Sequence, residues 1–193
     1  MFRDRQTVGY MIASTFLTAC LFGYITASEQ IYVDVFALGP AFPIAFAAIA
    51  ITISIGSFLN SRIVVGQGMR RISHVAMFWF TGIAVLHALV AIAGFENFWS
   101  FIVLLGLSFG VFGLMSSNFN TLAMERMGHI AGSASAVFGA VTASGGAVLG
   151  GLIARAFDGA TSPFVTAVAL AGVATILSVL ITERGRLFKD SDR

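Results

Sequence analysis

The chain has 193 residues, of which 58% are hydrophobic and 10% are charged. Soluble domains have about 25% charged residues, so this composition excludes an ordinary soluble enzyme and a disordered tail. The 11 basic residues are too few to follow a nucleic-acid backbone, and the single cysteine, Cys20, excludes a disulfide framework and a multi-cysteine metal site. We therefore predict no cofactor, no metal and no nucleic-acid partner.

Six long segments without Asp, Glu, Lys or Arg follow one another along the chain. Each has 23 to 28 residues, which exceeds the roughly 20 that a helix needs to cross a membrane. The segments also lack the period-two alternation of a transmembrane barrel. We predict an all-α, polytopic membrane protein, a six-helix bundle forming a single transmembrane domain over 1–193. The spans are expected near 7–27, 41–60, 74–94, 98–120, 131–154 and 164–182.

Basic residues are concentrated on one side of these spans. The termini and the even-numbered connections contain ten of the eleven, and the other side contains only Arg155. Because Lys and Arg are enriched in cytoplasmic segments, both termini are predicted to face the cytoplasm. The ten residues are Arg3, Arg5, Arg62, Arg70, Arg71, Arg126, Arg184, Arg186, Lys189 and Arg193.

Small residues recur at four-residue spacing, most densely in the fifth span. Such rows let helix backbones approach closely. The density in the fifth span favours burial between other helices at an interface that slides, and generic membrane packing is the alternative.

Soft and aromatic side chains form one row on the first span and another on the fourth. Such side chains suit apolar or cationic organic molecules through stacking and cation–π contacts, whereas core or lipid-facing packing is the plainer interpretation. The candidate residues are Phe16, Cys20, Tyr24, Ser108, Phe112, Met115, Asn118 and Phe119.

His87 lies a little past the middle of the third predicted span and is its candidate ionisable group, whereas His74 lies at the edge of that span near the inner surface. Intramembrane ionisable groups often bind protons or substrate. The alternative is a neutral histidine hydrogen-bonded to a neighbouring helix.

A G-x-S-x-G pattern at 106–110 raises a remote alternative, an intramembrane serine protease. A serine nucleophile needs a base within hydrogen-bond reach, and the sixth predicted span contains no histidine. The chain is therefore predicted not to be an enzyme.

Several short motifs, taken in order, carry a resemblance that covers nearly the whole chain. They lie at 32–40, at 56–62 with 68–71, at 131–136 and at 158–163. In these motifs the chain resembles major facilitator superfamily drug transporters of the Bcr/CflA type. Asn60 stands where the related superfamily loop often has an acid, so a charge latch between halves is not expected there.

The resemblance implies that this chain corresponds to the C-terminal six helices of a twelve-helix transporter, whose halves rock around a central site. The first and fourth helices, with the candidate residues above, would then line the cavity. The second and fifth would face the missing half, and the third, with His87, would be peripheral. The implied inter-half packing residues are Gly56, Ser135, Gly139, Ala143 and Gly151, and the implied cytoplasmic loop contains Arg62, Gly68, Arg70 and Arg71.

The implied function is multidrug efflux by drug:proton antiport in the bacterial inner (plasma) membrane. The coupling carboxylate would lie in the missing half. Expected partners are the lipid bilayer, small lipophilic or cationic drug-like solutes, and an N-terminal half or a second copy of the chain. A split or truncated piece, a self-pairing half and a remnant without transport all fit the length. A non-transporting assembly subunit that packs through the fifth helix is the rival function.

Overall fold

The computed structural model describes residues 1–188, so Lys189 and Arg193 lie outside the described part. Within 1–188 the chain forms six long helices and no strands, and each helix is long and apolar enough to cross a membrane. This confirms the predicted all-α, six-span fold. The helices are α1 (Arg5–Glu29), α2 (Phe42–Gln67), α3 (Met69–Ile92), α4 (Phe98–Met124), α5 (Ala131–Arg155) and α6 (Ser162–Thr182).

The first helix is longer at both ends than the predicted span 7–27. It begins at Arg5 because the Asp4 side chain accepts a hydrogen bond from the Thr7 backbone N–H at 2.8 Å, as an N-cap does. At its other end it continues into a π-helical segment, Gln30–Val35. Charged residues near the ends therefore do not interrupt the helix.

The second and third helices meet at a single residue. The spans were predicted to end at 60 and to resume at 74, yet α2 continues to Gln67 and α3 begins at Met69. Gly68 makes the reversal with a φ of 80°, a conformation that favours glycine. Consequently the implied cytoplasmic loop shrinks to Gly68, and its arginines lie on helices: Arg62 on α2, Arg70 and Arg71 in the first turn of α3.

Four helices form a closed ring, and the other two pack on its outside. In the ring α1 contacts α6, α6 contacts α3, α3 contacts α4 and α4 returns to α1, while α5 packs on α1 and α2 packs on α4. Aromatic side chains fill the interior, including the fully buried Tyr10, Phe101, Phe109 and Phe119. The two outer helices, α2 and α5, bury the smallest share of their residues.

Glycines allow the closest backbone approaches in the bundle. A Cβ atom on Gly56 would overlap the Gly110 carbonyl of α4, and one on Gly150 would lie 2.7 Å from the Gly23 nitrogen of α1. Gly56 therefore packs inside this bundle. The other four implied inter-half residues lie on the outside of α5, and the two glycines among the four have open space around them. They are Ser135, Gly139, Ala143 and Gly151.

Candidate functional site

A partly open cavity of about 270 Å³ lies between α1, α4 and α5. Its lining combines hydroxyl and amide groups with three apolar side chains and contains no charged residue among those described. The lining residues are Ser14, Leu17, Thr18, Phe112, Ser116, Ser117, Asn120, Phe138 and Thr142.

The polar groups of this cavity are available to a ligand. The Ser14 hydroxyl is buried and has no hydrogen-bond partner among the described residues, a state that is rare for buried polar atoms. The Thr142 hydroxyl donates to the Phe138 carbonyl at 2.8 Å, which leaves its oxygen free to accept another hydrogen bond. An uncharged solute with hydrogen-bonding groups and an apolar face would match this lining.

The predicted substrate residues do not gather around one cavity. Phe112 lines the cavity just described, and Phe16 lies on a separate groove between α1 and α6. The Ser108 hydroxyl donates to the Leu104 carbonyl of its own helix at 3.0 Å and is buried, so it is not available as a protease nucleophile. The rest are packed in the bundle core: Cys20, Tyr24, Met115, Asn118 and Phe119.

Asn118 has a specific partner within that core. Its side-chain nitrogen donates to Asn60 Oδ1 at 2.8 Å, and Asn60 returns a bond of 3.1 Å. These reciprocal bonds join α2 to α4 and satisfy both buried amides. They also give a structural role to Asn60, the position that departs from the acid of the related loop.

Eight cavity residues lie outside the predicted candidate set, and six of them have hydroxyl or amide side chains. Ser14 and Thr18 are four residues apart on α1, and Ser116 and Asn120 are four apart on α4. This polar row was a usable signal, since such spacing places two residues on one helix face. The aromatic rows instead predict a site on a neighbouring face of the same helices.

An ion-pair network around the buried Arg70 lies at the ends of four helices that are predicted to face the cytoplasm. The Arg70 guanidinium donates two hydrogen bonds to Glu183, at 2.8 and 2.9 Å, and one to Glu125 at 2.8 Å. Gln6 donates to Glu125, and the Tyr10 hydroxyl donates to Glu183 at 2.7 Å. Arg70 is only 5% exposed, so a residue predicted to lie in a loop is instead the centre of a contact that joins α1 and α3 to the ends of α4 and α6.

The network perturbs the acidity of Glu125, which follows the last residue of α4. Partial burial raises the pKa of its carboxyl, but the hydrogen bonds from Gln6 and Arg70 lower it more, so the net pKa is below its usual value. Both partners stabilise the ionised carboxylate. Glu125 is therefore ionised in the folded protein at neutral pH.

Acid should weaken this network in a predictable direction. Because the pKa of Glu125 is lower in the folded state than in the unfolded state, its stabilising contribution is complete above the unfolded value and is lost as pH falls through the folded one. Thermal unfolding measured from neutral pH to well below about pH 4, the range of an unperturbed carboxyl, should therefore show a smaller loss of stability with acid in Glu125→Gln than in the unchanged protein. The control is Glu29→Gln, because Glu29 is exposed. If Glu125→Gln and Glu29→Gln lose the same stability in acid, the assignment is contradicted.

A second buried pair lies on the other side of the membrane domain. His87 Nε2 is 2.6 Å from Glu96 Oε1, and their side chains are 3% and 6% exposed. The two atoms are close enough for an ion pair, although their geometry is not that of a regular hydrogen bond. The Thr161 hydroxyl donates to the other oxygen of Glu96. His87 thus has a carboxylate partner in the α3–α4 connection.

Comparison with known proteins identifies two curated relatives. The chain is 28% identical over 184 residues to a bicyclomycin resistance protein homolog of Haemophilus influenzae. The aligned segment covers 93% of this chain and 44% of that relative. Over 157 residues it is 28% identical to the uncharacterized MFS-type transporter YdgK of Bacillus subtilis, with 79% and 38% coverage. The chain spans less than half the length of these relatives. No family model and no solved structure matches.

Proposed function

We propose that this chain, a relative of the major-facilitator drug-resistance transporters and an integral protein of the bacterial plasma membrane, supplies the C-terminal six-helix half of a drug exporter. Its relatives are transporters, in agreement with the prediction that the chain is not an enzyme. The observation that carries the proposal is the partly open cavity beside α5, a helix with an unpartnered outer surface. Alternating access would come from rocking of this half against its partner.

The partner is proposed to contact the outer surface of α5. Ser135, Gly139 and Ala143 recur every four residues on this exposed surface, and small residues permit close helix contacts in lipid. An N-terminal six-helix half is the preferred partner because the relatives are more than twice as long as the matched segment. A second copy of the chain would meet the same surface.

The cavity lining favours small, uncharged or lipophilic drug-like solutes. Phe112 and Phe138 offer aromatic surface, and the hydroxyl groups of Ser14 and Thr18 offer hydrogen bonds. A cationic solute would gain only the cation–π attraction of the two rings, since no carboxylate lines this half of the cavity. Proton coupling is therefore assigned to a carboxylate of the N-terminal half.

Filling the cavity should reduce export while the bundle stays folded. Ser117 lines the cavity and is exposed on its open side, so Ser117→Phe adds bulk without disturbing the core. Overpacking of about 1–3 kcal/mol corresponds to binding weakened about 5- to 150-fold. The assay is protonophore-sensitive drug efflux from cells that express the chain together with a matching N-terminal half.

The matched control adds the same ring on the peripheral face of α3. Val85 is 38% exposed, and Val85→Phe should leave efflux unchanged. Efflux that survives Ser117→Phe would remove the cavity from the transport pathway. Absence of any drug efflux from the paired halves would contradict the proposed function itself.

A further inference from the structure

A second, larger recess lies on the outside of the bundle, away from the cavity. It is a groove of about 590 Å³ between α1 and α6. Its apolar walls include Ile12 of α1 and Leu177 and Ile181 of α6, which are 44%, 54% and 69% exposed. In a membrane these surfaces face acyl chains.

At the floor of the groove, side chains of α6 pack closely against the backbone of α1 at Gly9. Gly9 has no side chain, and a Cβ atom there would overlap Thr182 of α6. The Ser178 hydroxyl donates to the Gly9 carbonyl at 2.9 Å. The groove therefore lies along a close contact between α1 and α6.

Two arginines line the cytoplasmic end of the groove. Arg3 and Arg5 are both exposed, and Arg5 also donates to the Ile181 carbonyl near the end of α6. Within residues 1–188 neither guanidinium forms an ion pair with a carboxylate; the neighbouring Asp4 lies 3.8 Å from Arg126 and caps α1. The groove thus joins an apolar channel to two positive charges that no carboxylate of residues 1–188 pairs with.

The dimensions of this arrangement match one lipid of the cytoplasmic leaflet. With a rise of about 1.5 Å per residue, Ile12 lies roughly 10 Å deeper than Arg5, and Phe16 roughly 16 Å deeper. A leaflet contributes about half of the ~30 Å hydrocarbon core, so an acyl chain beside Ile12 and Phe16 would leave its phosphate near the arginines. Phe2, 68% exposed, lies at the level of the headgroups.

We propose that this groove binds an anionic phospholipid of the cytoplasmic leaflet. Arg3 and Arg5 hold the phosphate and the net negative charge of the headgroup, and one acyl chain lies along α1 and α6. Zwitterionic lipids fill the same channel but lack the net charge that complements the two guanidinium groups.

The test uses a tryptophan in the groove and brominated lipids as quenchers. Leu177→Trp is introduced after replacement of the two native tryptophans, Trp79→Phe and Trp99→Phe, and the full chain is reconstituted in mixed vesicles. At equal mole fraction, brominated phosphatidylglycerol should quench the groove tryptophan more strongly than brominated phosphatidylcholine. A tryptophan at Leu170, an exposed residue nearer the start of α6, should show no such preference.

Charge variants then connect the preference to the arginines. Arg3→Gln with Arg5→Gln should lower the relative affinity for phosphatidylglycerol by roughly 5-fold per arginine, whereas Arg3→Lys with Arg5→Lys should retain most of it. The control pair Arg62→Gln with Arg71→Gln, exposed arginines elsewhere on the cytoplasmic side, should leave the preference unchanged. Equal quenching by the two lipids, or a preference that survives the glutamine pair, would overturn the proposal. If Arg5→Gln disturbs the contact with α6, Arg3→Gln alone supplies the test.

Discussion

Replacement of Arg70 by methionine should destabilise the folded protein by about 3–5 kcal/mol, the cost of breaking a buried ion pair by removing one partner. Most of this loss comes from Glu183, whose side chain is 12% exposed and would remain in place without a cation. Glu125 is 39% exposed, so solvent screens its carboxylate and its share is small. Chemical or thermal unfolding of the purified chain in detergent measures the change.

Two further variants identify the cause of that loss. The next residue, Arg71, is exposed, and Arg71→Met should change stability by less than about 0.5 kcal/mol. Combining Arg70→Met with Glu183→Gln removes the uncompensated charge and should recover part of the stability. Equal effects of Arg70→Met and Arg71→Met would show that the network does not stabilise the bundle.

Replacement of Gly113 by alanine should also destabilise the protein, by about 1–3 kcal/mol. A Cβ atom on Gly113 would lie 2.8 Å from the Ser57 nitrogen and would also overlap the Ile53 carbonyl. Both obstructing atoms belong to the backbone of α2, so no side-chain rotation relieves the clash and the two helices must separate. Thermal unfolding of the purified variant in detergent measures the loss.

The matched control is the same substitution on the surface of α5. Gly139 has no atom within 4 Å of a Cβ at its position, and alanine is preferred over glycine inside a helix by roughly 1 kcal/mol. Gly139→Ala should therefore leave stability unchanged or raise it. If Gly113→Ala is as stable as Gly139→Ala, the close contact between α2 and α4 is not part of the folded protein.

The positions of the helices could be predicted from charge spacing, but several of their ends could not. Charged residues are costly in the hydrocarbon centre yet tolerated near helix ends, so Arg62 and Arg70 were assigned to a loop although both are helical. The end of α2 is set by the backbone geometry of Gly68, with its φ of 80°. A single glycine among 21 carries no sequence signal for this role.

Candidate site residues were predicted on the right helices, yet their environments could not be deduced. A four-residue row defines a helix face, but α1 contacts α4, α5 and α6, and the sequence does not say which face meets a packed helix. Of the row on α1, Cys20 and Tyr24 face the core, where the Tyr24 ring stacks on Phe46 at 5.3 Å, whereas Phe16 lines the groove between α1 and α6. Ser14 and Thr18 face the cavity.

The partners of the buried charges were equally hidden in the sequence. Arg70 and Glu183 are 113 residues apart and meet only because α3 and α6 are neighbours. His87 finds Glu96 because the chain turns back at Gly94, with a φ of 75°. These pairings depend on which helices are neighbours in the folded protein, and the spacing of charges along the chain does not predict this.

The layout of one six-helix transporter half, with both ends in the cytoplasm, can be tested most directly by labelling engineered cysteines. The native Cys20 is fully buried and should not react with a membrane-impermeant maleimide. In spheroplasts, a cysteine at Phe95, which is 80% exposed in the α3–α4 connection, should be labelled from outside. A cysteine at the exposed Arg71 should be labelled only after permeabilisation. Labelling of both positions from the same side would contradict the six-span topology and the transporter half that is built on it.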